Sequence, residues 1–527
     1  MTILQLLLHA LLISDAYGKL SEIARRGGYS KRTLEDVHQR KLNERALNNT
    51  ELQYYSNDTA KYFVESLPEI PQNFLTEMYS GLIPIDLSNA SRALFFVFQP
   101  RVGPPVDEVT IWLNGGPGCS SLEGFFQENG LIQWTWGQFD PTTNPYSWVN
   151  LTNMLWVEQP VGTGFSIGTP TATSEEDIAA DFVKFFKNFQ EIFGIKNYKI
   201  FVTGESYSGR YVPYIANAML DLDDTRYYDV GGILVYDPCI GSFNYQNDIT
   251  VYPFIEKNNN VLNLNQSYLA TLAALDESCG FASFREQYMS FPPNGTQPVL
   301  YENCTANPEC CTWDSVYDAA YDPNPCFNVY EIGLQCPLLG DVLGYPTDLQ
   351  LSYPSQPVYF NRTDVKLAMH APLYVDWLEC APNPVFIGDG GPEGEGDTSA
   401  DPIQKVLPRV IEATNRVLIA NGDLDLEIIT NATLLAIQNM TWNGALGFQS
   451  EPATPIDIKL PDLQYQSLFS SQGFDGLDAH QGIMGVQHYE RGLMFAETYL
   501  SGHMEPQFQP RSSYRHLQWV LGRIEAL

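Results

Sequence analysis

The sequence predicts an α/β chain in which a mostly parallel central sheet is flanked by helices and interrupted by a cysteine-rich insertion. Three observations lead there. From about residue 70 to 240, short apolar runs bounded by Gly, Pro and Asn alternate with amphipathic stretches, and the rhythm resumes near Val365. Apolar residues make up 44% and aromatics 13% of the 527 residues, enough to bury a large core despite a formal charge of −33. Seven cysteines (Cys239, Cys279, Cys304, Cys310, Cys311, Cys326 and Cys336) cluster where the α/β rhythm breaks, with no His interleaved, so they read as a disulfide-stapled segment rather than a metal site.

In chain order, the apolar run from Ile3 to Ile13 is too short to span a bilayer. It precedes the small residues of Ala16-Tyr17-Gly18, which predicts a signal peptide over 1–18. Residues 19–65 are polar and charged, with dibasic pairs at Arg25-Arg26 and Lys31-Arg32, and read as an N-terminal arm or a propeptide. Residues 66–527 then read as one α/β domain. Within it, Val109 to Leu113, Met154 to Val157, Ile200 to Thr203 and Ile233 to Tyr236 read as buried parallel strands. Glu175 to Phe193 carries Ile178, Phe182, Phe185, Phe186, Phe189 and Phe193 at helical spacing, the stripe of a helix packed on the sheet. The insertion covers about 241–345, and further strands are predicted at Arg416 to Ala420 and Leu493 to Leu500.

The charge balance excludes a nucleic-acid partner, because phosphate affinity comes from Lys and Arg, which number only 29 against 62 acids. Ten N-x-S/T sequons, at Asn48, Asn57, Asn89, Asn150, Asn265, Asn294, Asn303, Asn361, Asn431 and Asn439, predict surface glycans. With the cysteine cluster they point to an exported, soluble protein without a membrane anchor, either secreted or held in a vacuole-like compartment. Nothing in the sequence points to an oligomeric state.

The segment most informative about chemistry is Phe201-Val202-Thr203-Gly204-Glu205-Ser206-Tyr207-Ser208-Gly209, an apolar strand running into a Gly-x-Ser-x-small-Gly turn and then a helix. In an α/β-hydrolase fold this turn is the elbow that holds a nucleophilic serine in a strained, exposed position at a strand's carboxyl end. Its partners follow in the order acid, then histidine. A strand at Arg416 to Ala420 ends in Asn421-Gly422-Asp423-Leu424-Asp425, and the last strand ends in Ser501-Gly502-His503. The run Asn114-Gly115-Gly116-Pro117-Gly118 exposes backbone N–H groups that suit a tetrahedral oxyanion. It lacks the Lys of a phosphate loop and the spacing of a dinucleotide fingerprint. No His-Glu-x-x-His is present, so neither a metal nor another cofactor is expected.

Five ordered motifs make the chain recognisable. Trp112-Leu113-Asn114-Gly115-Gly116-Pro117-Gly118-Cys119-Ser120-Ser121, Asn144-Pro145-Tyr146-Ser147-Trp148, Glu158-Gln159-Pro160-Val161-Gly162-Thr163-Gly164-Phe165-Ser166, the Ser206 elbow and Gly502-His503-Met504 together resemble the serine carboxypeptidase family. The likeness covers about residues 70–240 and 355–520. It implies that Ser206, Asp425 and His503 are the catalytic triad, and that the Gly116 and Tyr207 amides form the oxyanion hole. It also implies that Trp112, Asn114, Glu128 and Glu205 bind the substrate's terminal carboxylate, and that Cys119 pairs with Cys380.

A carboxylate gripped by two glutamates makes physical sense if the pair shares a proton, because like charges a few ångströms apart cannot both ionise. The protonated member then donates to the substrate, beside Asn114. The resemblance thus implies a peptidase acting on peptide and protein C-termini, best at acid pH. Two rival readings are an acyltransferase or esterase on the same scaffold, and an inactive secreted binding protein. Around these motifs the sequence departs from the family in two places: Glu505-Pro506-Gln507-Phe508 follows His-Met where an apolar residue is usual, and the register around Ile428 to Asn431 is altered. Glu123, near the expected side-chain pocket, suits a basic residue before the scissile bond.

Overall fold

The parallel strands form where the apolar runs predict them, and they are apolar throughout because both faces are covered. Glu108–Leu113, for example, is buried at all six positions. The computed structural model describes residues 52–298, 307–336, 340–344, 358–389, 396–461 and 478–527. The signal peptide, residues 19–51 of the predicted arm, Asn48 and Asn303 lie outside them.

Ten strands make the main sheet: β1 (Tyr79–Asp86), β2 (Asn89–Gln99), β3 (Glu108–Leu113), β4 (Asn153–Glu158), β5 (Lys199–Glu205), β6 (Asp229–Tyr236), β7 (Val417–Gly422), β8 (Thr454–Pro461), β9 (Asp478–Glu490) and β10 (Leu493–Thr498). Their order is β1-β2-β4-β3-β5-β6-β7-β10-β9-β8. The middle, from β4 to β10, is parallel. Hairpins add antiparallel strands at both edges. The last predicted strand is two residues shorter than expected: it stops at Thr498, because Leu500 turns with φ +58°.

Helix α1 (Glu175–Phe193) opens with Glu176 and Asp177 in its first turn, whose charges suit a helix N-terminus, and closes on Gly194 in the left-handed conformation. Its phenylalanine stripe is buried in the core with the sheet residues. Helix α2 (Ser208–Leu222) follows the elbow directly.

Residues 53–459 and 480–527 form one compact unit. Its start differs from the boundary at residue 65 read from sequence, because Thr59 and Tyr62 are buried and Phe63 bridges to Tyr79. The insertion is helical: Phe243–Leu262, Gln266–Ser278 and Thr312–Tyr321 surround an apolar cluster of their own, and Phe281–Tyr288 packs in a smaller one with Ile249 and Leu435. Disulfides Cys279–Cys310 and Cys326–Cys336 staple it, and Cys311 is also disulfide-bonded. The larger cluster takes in Leu426 and Ile429, so the insertion packs on the segment that follows Asp425. Among the described residues no helix is long and apolar enough to cross a membrane.

Candidate active site

Parallel pairing aligns the carboxyl ends of β3, β5, β6, β7 and β10 along one edge, and each carries candidate residues on the loop that follows. Leu113 pairs with Gly204, Glu205 with Tyr236, Tyr236 with Ala420 and Thr498 with Gly422. Segments hundreds of residues apart in sequence therefore meet.

Ser206 sits at φ +62°, a conformation strained for a residue with a side chain. Backbone bonds hold it there: its N–H donates to Tyr236 O at 2.9 Å, and its carbonyl accepts from Gly209 N at 2.8 Å and Cys239 N at 3.1 Å. The small residues are needed for close approach. A Cβ on Gly209 would lie 2.5 Å from Cys239 N, and one on Gly115 would lie 2.7 Å from Ser206 Cβ. Ser208 is buried and donates to the carbonyl of Leu113 at 2.8 Å, tying the elbow to the glycine run.

His503 Nδ1 lies 2.7 Å from Asp425 Oδ2, and both side chains are buried. Asp425 also accepts from Glu427 N at 2.9 Å and Ile428 N at 3.2 Å. Burial pulls the His503 pKa down, but Asp425 outweighs it and the ring ends above its ordinary value. His503 Nε2 is buried with no partner, and Ser206 Oγ forms no hydrogen bond among the described residues. Such a bond commonly tightens only once substrate is bound. Gly116 and Tyr207 flank the elbow from either side. Neither amide meets an acceptor among the described residues. The Cys119–Cys380 disulfide anchors the glycine run to a segment 261 residues away.

The four remaining predicted residues form one buried network. Trp112 Nε1 donates to Asn114 Oδ1 at 2.7 Å, and Asn114 Nδ2 donates to Glu128 Oε1 at 3.1 Å and Glu205 Oε1 at 2.8 Å. The other oxygen of each glutamate is buried with no donor besides the facing carboxyl. Gly124 permits the arrangement, since a Cβ there would strike Trp112 Nε1 at 2.0 Å. Burial, opposed by hydrogen bonds from Glu205 and Asn114, pushes Glu128 up to about 7. Glu205 is raised well above the usual carboxylate range by burial and then by Glu128. Two facing carboxyls with one amide between them have the arrangement that suits a shared proton.

Sequence reasoning missed several neighbours. Tyr330, from the insertion, accepts the His503 N–H at 2.8 Å and packs its ring 4.9 Å from the imidazole. Glu158 ties Ser120, Trp377 and Phe165 N together and is pushed up to about 7 by burial. Glu123, which the sequence did single out, is buried, and burial, then Glu128, then Asp341 hold its carboxyl well above the usual range. Asp237, just past β6, lies against Asp425 and His503: one side-chain oxygen or ring nitrogen from each falls within 4.8 Å of the others. The 2.7 Å between His503 and Asp425 is a hydrogen-bond length, not the spacing of two ligands on one ion.

Of the sequons, Asn57, Asn89, Asn265 and Asn294 are exposed, and Asn150, Asn361, Asn431 and Asn439 are half-buried. The carboxamide of Asn361 is bonded on both sides to the backbone of Trp377.

Comparison with known proteins places the chain in a family and a fold. A family model described as serine carboxypeptidase matches residues 68–523. The chain is 61% identical over 477 residues to serine-type carboxypeptidase F of Aspergillus niger, covering 90% of this chain and 89% of that protein. It is 43% identical over 484 residues to a probable serine carboxypeptidase of Arthroderma benhamiae, covering 89% and 88%. In fold it resembles the crystal structure of Kex1(delta)p, a prohormone-processing carboxypeptidase from Saccharomyces cerevisiae, with TM-score 0.65, 24% identity and coverage of 88% and 96%. With its mixed sheet, elbow serine and family motifs in one place, this chain belongs to the serine carboxypeptidase family.

Proposed function

We propose that this serine-type carboxypeptidase releases C-terminal residues from peptides and proteins at acid pH, through an acyl-enzyme on Ser206. In this reading His503 Nε2 takes the Ser206 proton as Oγ attacks the last peptide carbonyl, while Asp425 holds Nδ1–H and so fixes the tautomer. The Gly116 and Tyr207 amides receive the oxyanion. His503 then protonates the departing amino acid, and water enters by the same route to free the acyl group. Trp112 and Asn114, with Glu128 and Glu205, hold the substrate's terminal carboxylate.

The observation that carries the reading is the buried Asn114–Glu128–Glu205 cluster next to the elbow. Cleavage of an internal bond or of a simple ester needs no such device. At acid pH a shared proton lets the pair donate to the substrate, and as pH rises past about 7 the pair turns repulsive. The sequons and disulfides support export, with secretion or a vacuole-like compartment as the destination.

The test is an N-blocked dipeptide with a free C-terminus against its C-terminal amide, from pH 3 to 8, on wild type and Ser206→Ala. The free acid should be preferred at low pH with KM climbing toward neutrality, and Ser206→Ala should be inert but folded. A KM that stays flat across that range would sink the carboxylate assignment.

A further inference from the structure

Behind the triad lies a buried acid that the proposed reaction leaves unused. Asp237 is fully buried, at the end of β6 beside the end of β7. Its Oδ1 accepts from Gly422 N at 3.0 Å and Asn421 Nδ2 at 3.2 Å. Its Oδ2 has no donor at all and is buried. Facing it is Asp425, which already accepts from Glu427 N, Ile428 N and His503 Nδ1.

Counting donors assigns the proton between the two acids. Three N–H groups point at Asp425, so it is the acceptor. The proton belongs on the bare oxygen of Asp237. We propose that Asp237 is a protonated positioning residue that donates a hydrogen bond to Asp425, spreads its negative charge, and thereby keeps His503 unprotonated at lower pH than a lone aspartate would allow. The proposal rests on the triad assignment above.

The surroundings support it. The charged and titratable groups facing Asp237 are Asp425 after β7, His503 after β10, Glu505 on the short helix Glu505–Phe508, and Tyr236 on its own strand; His503 faces Asp425, and beyond it Glu427 and Glu128, both of which favour its protonated form in wild type and variants alike. Burial, then Asp425, then Glu505 raise the Asp237 pKa well above the carboxylate range. Glu505, the acid that stands where an apolar residue was expected, is pushed up to about 8 by burial. At acid pH the pocket behind the triad therefore holds neutral acids, which add no charge that would raise His503. An extra ionised carboxylate there would do the opposite and hold the imidazole in its protonated, inactive form.

The test compares Asp237→Asn, which keeps an uncharged donor toward Asp425 and an acceptor for Gly422, with Asp237→Leu, which keeps neither. The readouts are kcat/KM against pH for a blocked dipeptide, the rate of fluorophosphonate labelling of Ser206 against pH, and Tm against pH. Asp237→Leu should move the acid limb of both rate profiles upward by about one pH unit, a loss of about tenfold at pH 4. Asp237→Asn should hold the limb at the wild-type position. An unmoved limb in folded Asp237→Leu, or an equal shift in both variants, overturns the proposal.

Should Asp237→Leu not fold, Tm decides. A carboxyl whose folded pKa is raised stabilises fully below its unfolded value, and that stability is lost as pH climbs through the folded one. Wild type should thus lose Tm more steeply than Asp237→Asn between pH 4 and 8, and parallel curves overturn the idea. Turnover by an enzyme that fluorophosphonate leaves unlabelled at Ser206 would instead bring down the triad assignment and the proposal with it.

Discussion

Two groups of buried acids share one edge of the sheet, and they use protons in opposite ways. Around Asp425 donors are plentiful: two backbone amides and the imidazole point at it, so the carboxylate is held as a fixed acceptor. Around Asn114, a single amide group serves two glutamates whose outer oxygens have no donor besides the facing carboxyl. The first arrangement is complete in itself and suits a group that must orient another. The second is incomplete until an anion arrives and suits a group that must recognise one. The contrast teaches that burial alone does not define a carboxyl's role; the number of donors around it does.

Breaking the complete cluster should have the larger effect. Asp425→Asn removes the acceptor that fixes the His503 tautomer and should lower kcat about 10⁴-fold with little change in KM, read by steady-state kinetics. Asn114→Ala strips the shared donor from the incomplete cluster. It should lower kcat/KM about 10- to 100-fold on free-acid peptides, mainly through KM, while C-terminal amides lose far less; equal losses on both substrates would refute the recognition role. Glu128→Gln should sharpen the comparison. Near pH 4 its KM stays close to that of wild type, and the rise expected of wild type as Glu128 loses its proton near pH 7 is flattened.

A broader consequence concerns stability. Besides those two clusters, Glu158 and Asp341 are each pushed to about 7 and Glu505 to about 8, by burial first in every case. All are raised above their unfolded values, so each stabilises the fold at acid pH and loses that contribution as pH climbs through 7 to 8. Tm measured by calorimetry should fall by ~5 °C or more between pH 5 and 8, and a Tm that rises over that range would contradict the charge states assigned here. The smallest effect is reserved for Glu123→Gln: its buried carboxyl is held well above the usual range and so is uncharged at acid pH, and any preference for Lys or Arg before the scissile bond should change by less than about tenfold on a panel of dipeptides, growing as pH rises.

The sequence was most legible where chemistry demands a particular residue type at a strand end. Gly204, Ser208 and Gly209 announce the elbow because nothing larger fits against Leu113 and Cys239, and His503 follows the last strand as the fold requires. Asp237 was silent for a plain reason: Tyr-Asp-Pro reads as an ordinary turn, and only the pairing of β6 with β7 brings it against Asp425. Glu505 stood out as unusual, yet nothing in a single chain said that it would be buried. The insertion's helices were missed because their apolar residues face several neighbours rather than one, and Phe243–Leu262 carries Pro253 inside it.

The carbonyl of Tyr330 sits so near Gly502 that a Cβ there would lie 2.1 Å from it, and the same carbonyl receives the His503 amide. The loop stapled by Cys326 and Cys336 is therefore a buttress for His503 rather than a detachable cover. A chimaera that exchanges this segment as a cassette, to import another relative's selectivity, would have to bring its own prop for the imidazole or arrive without catalysis.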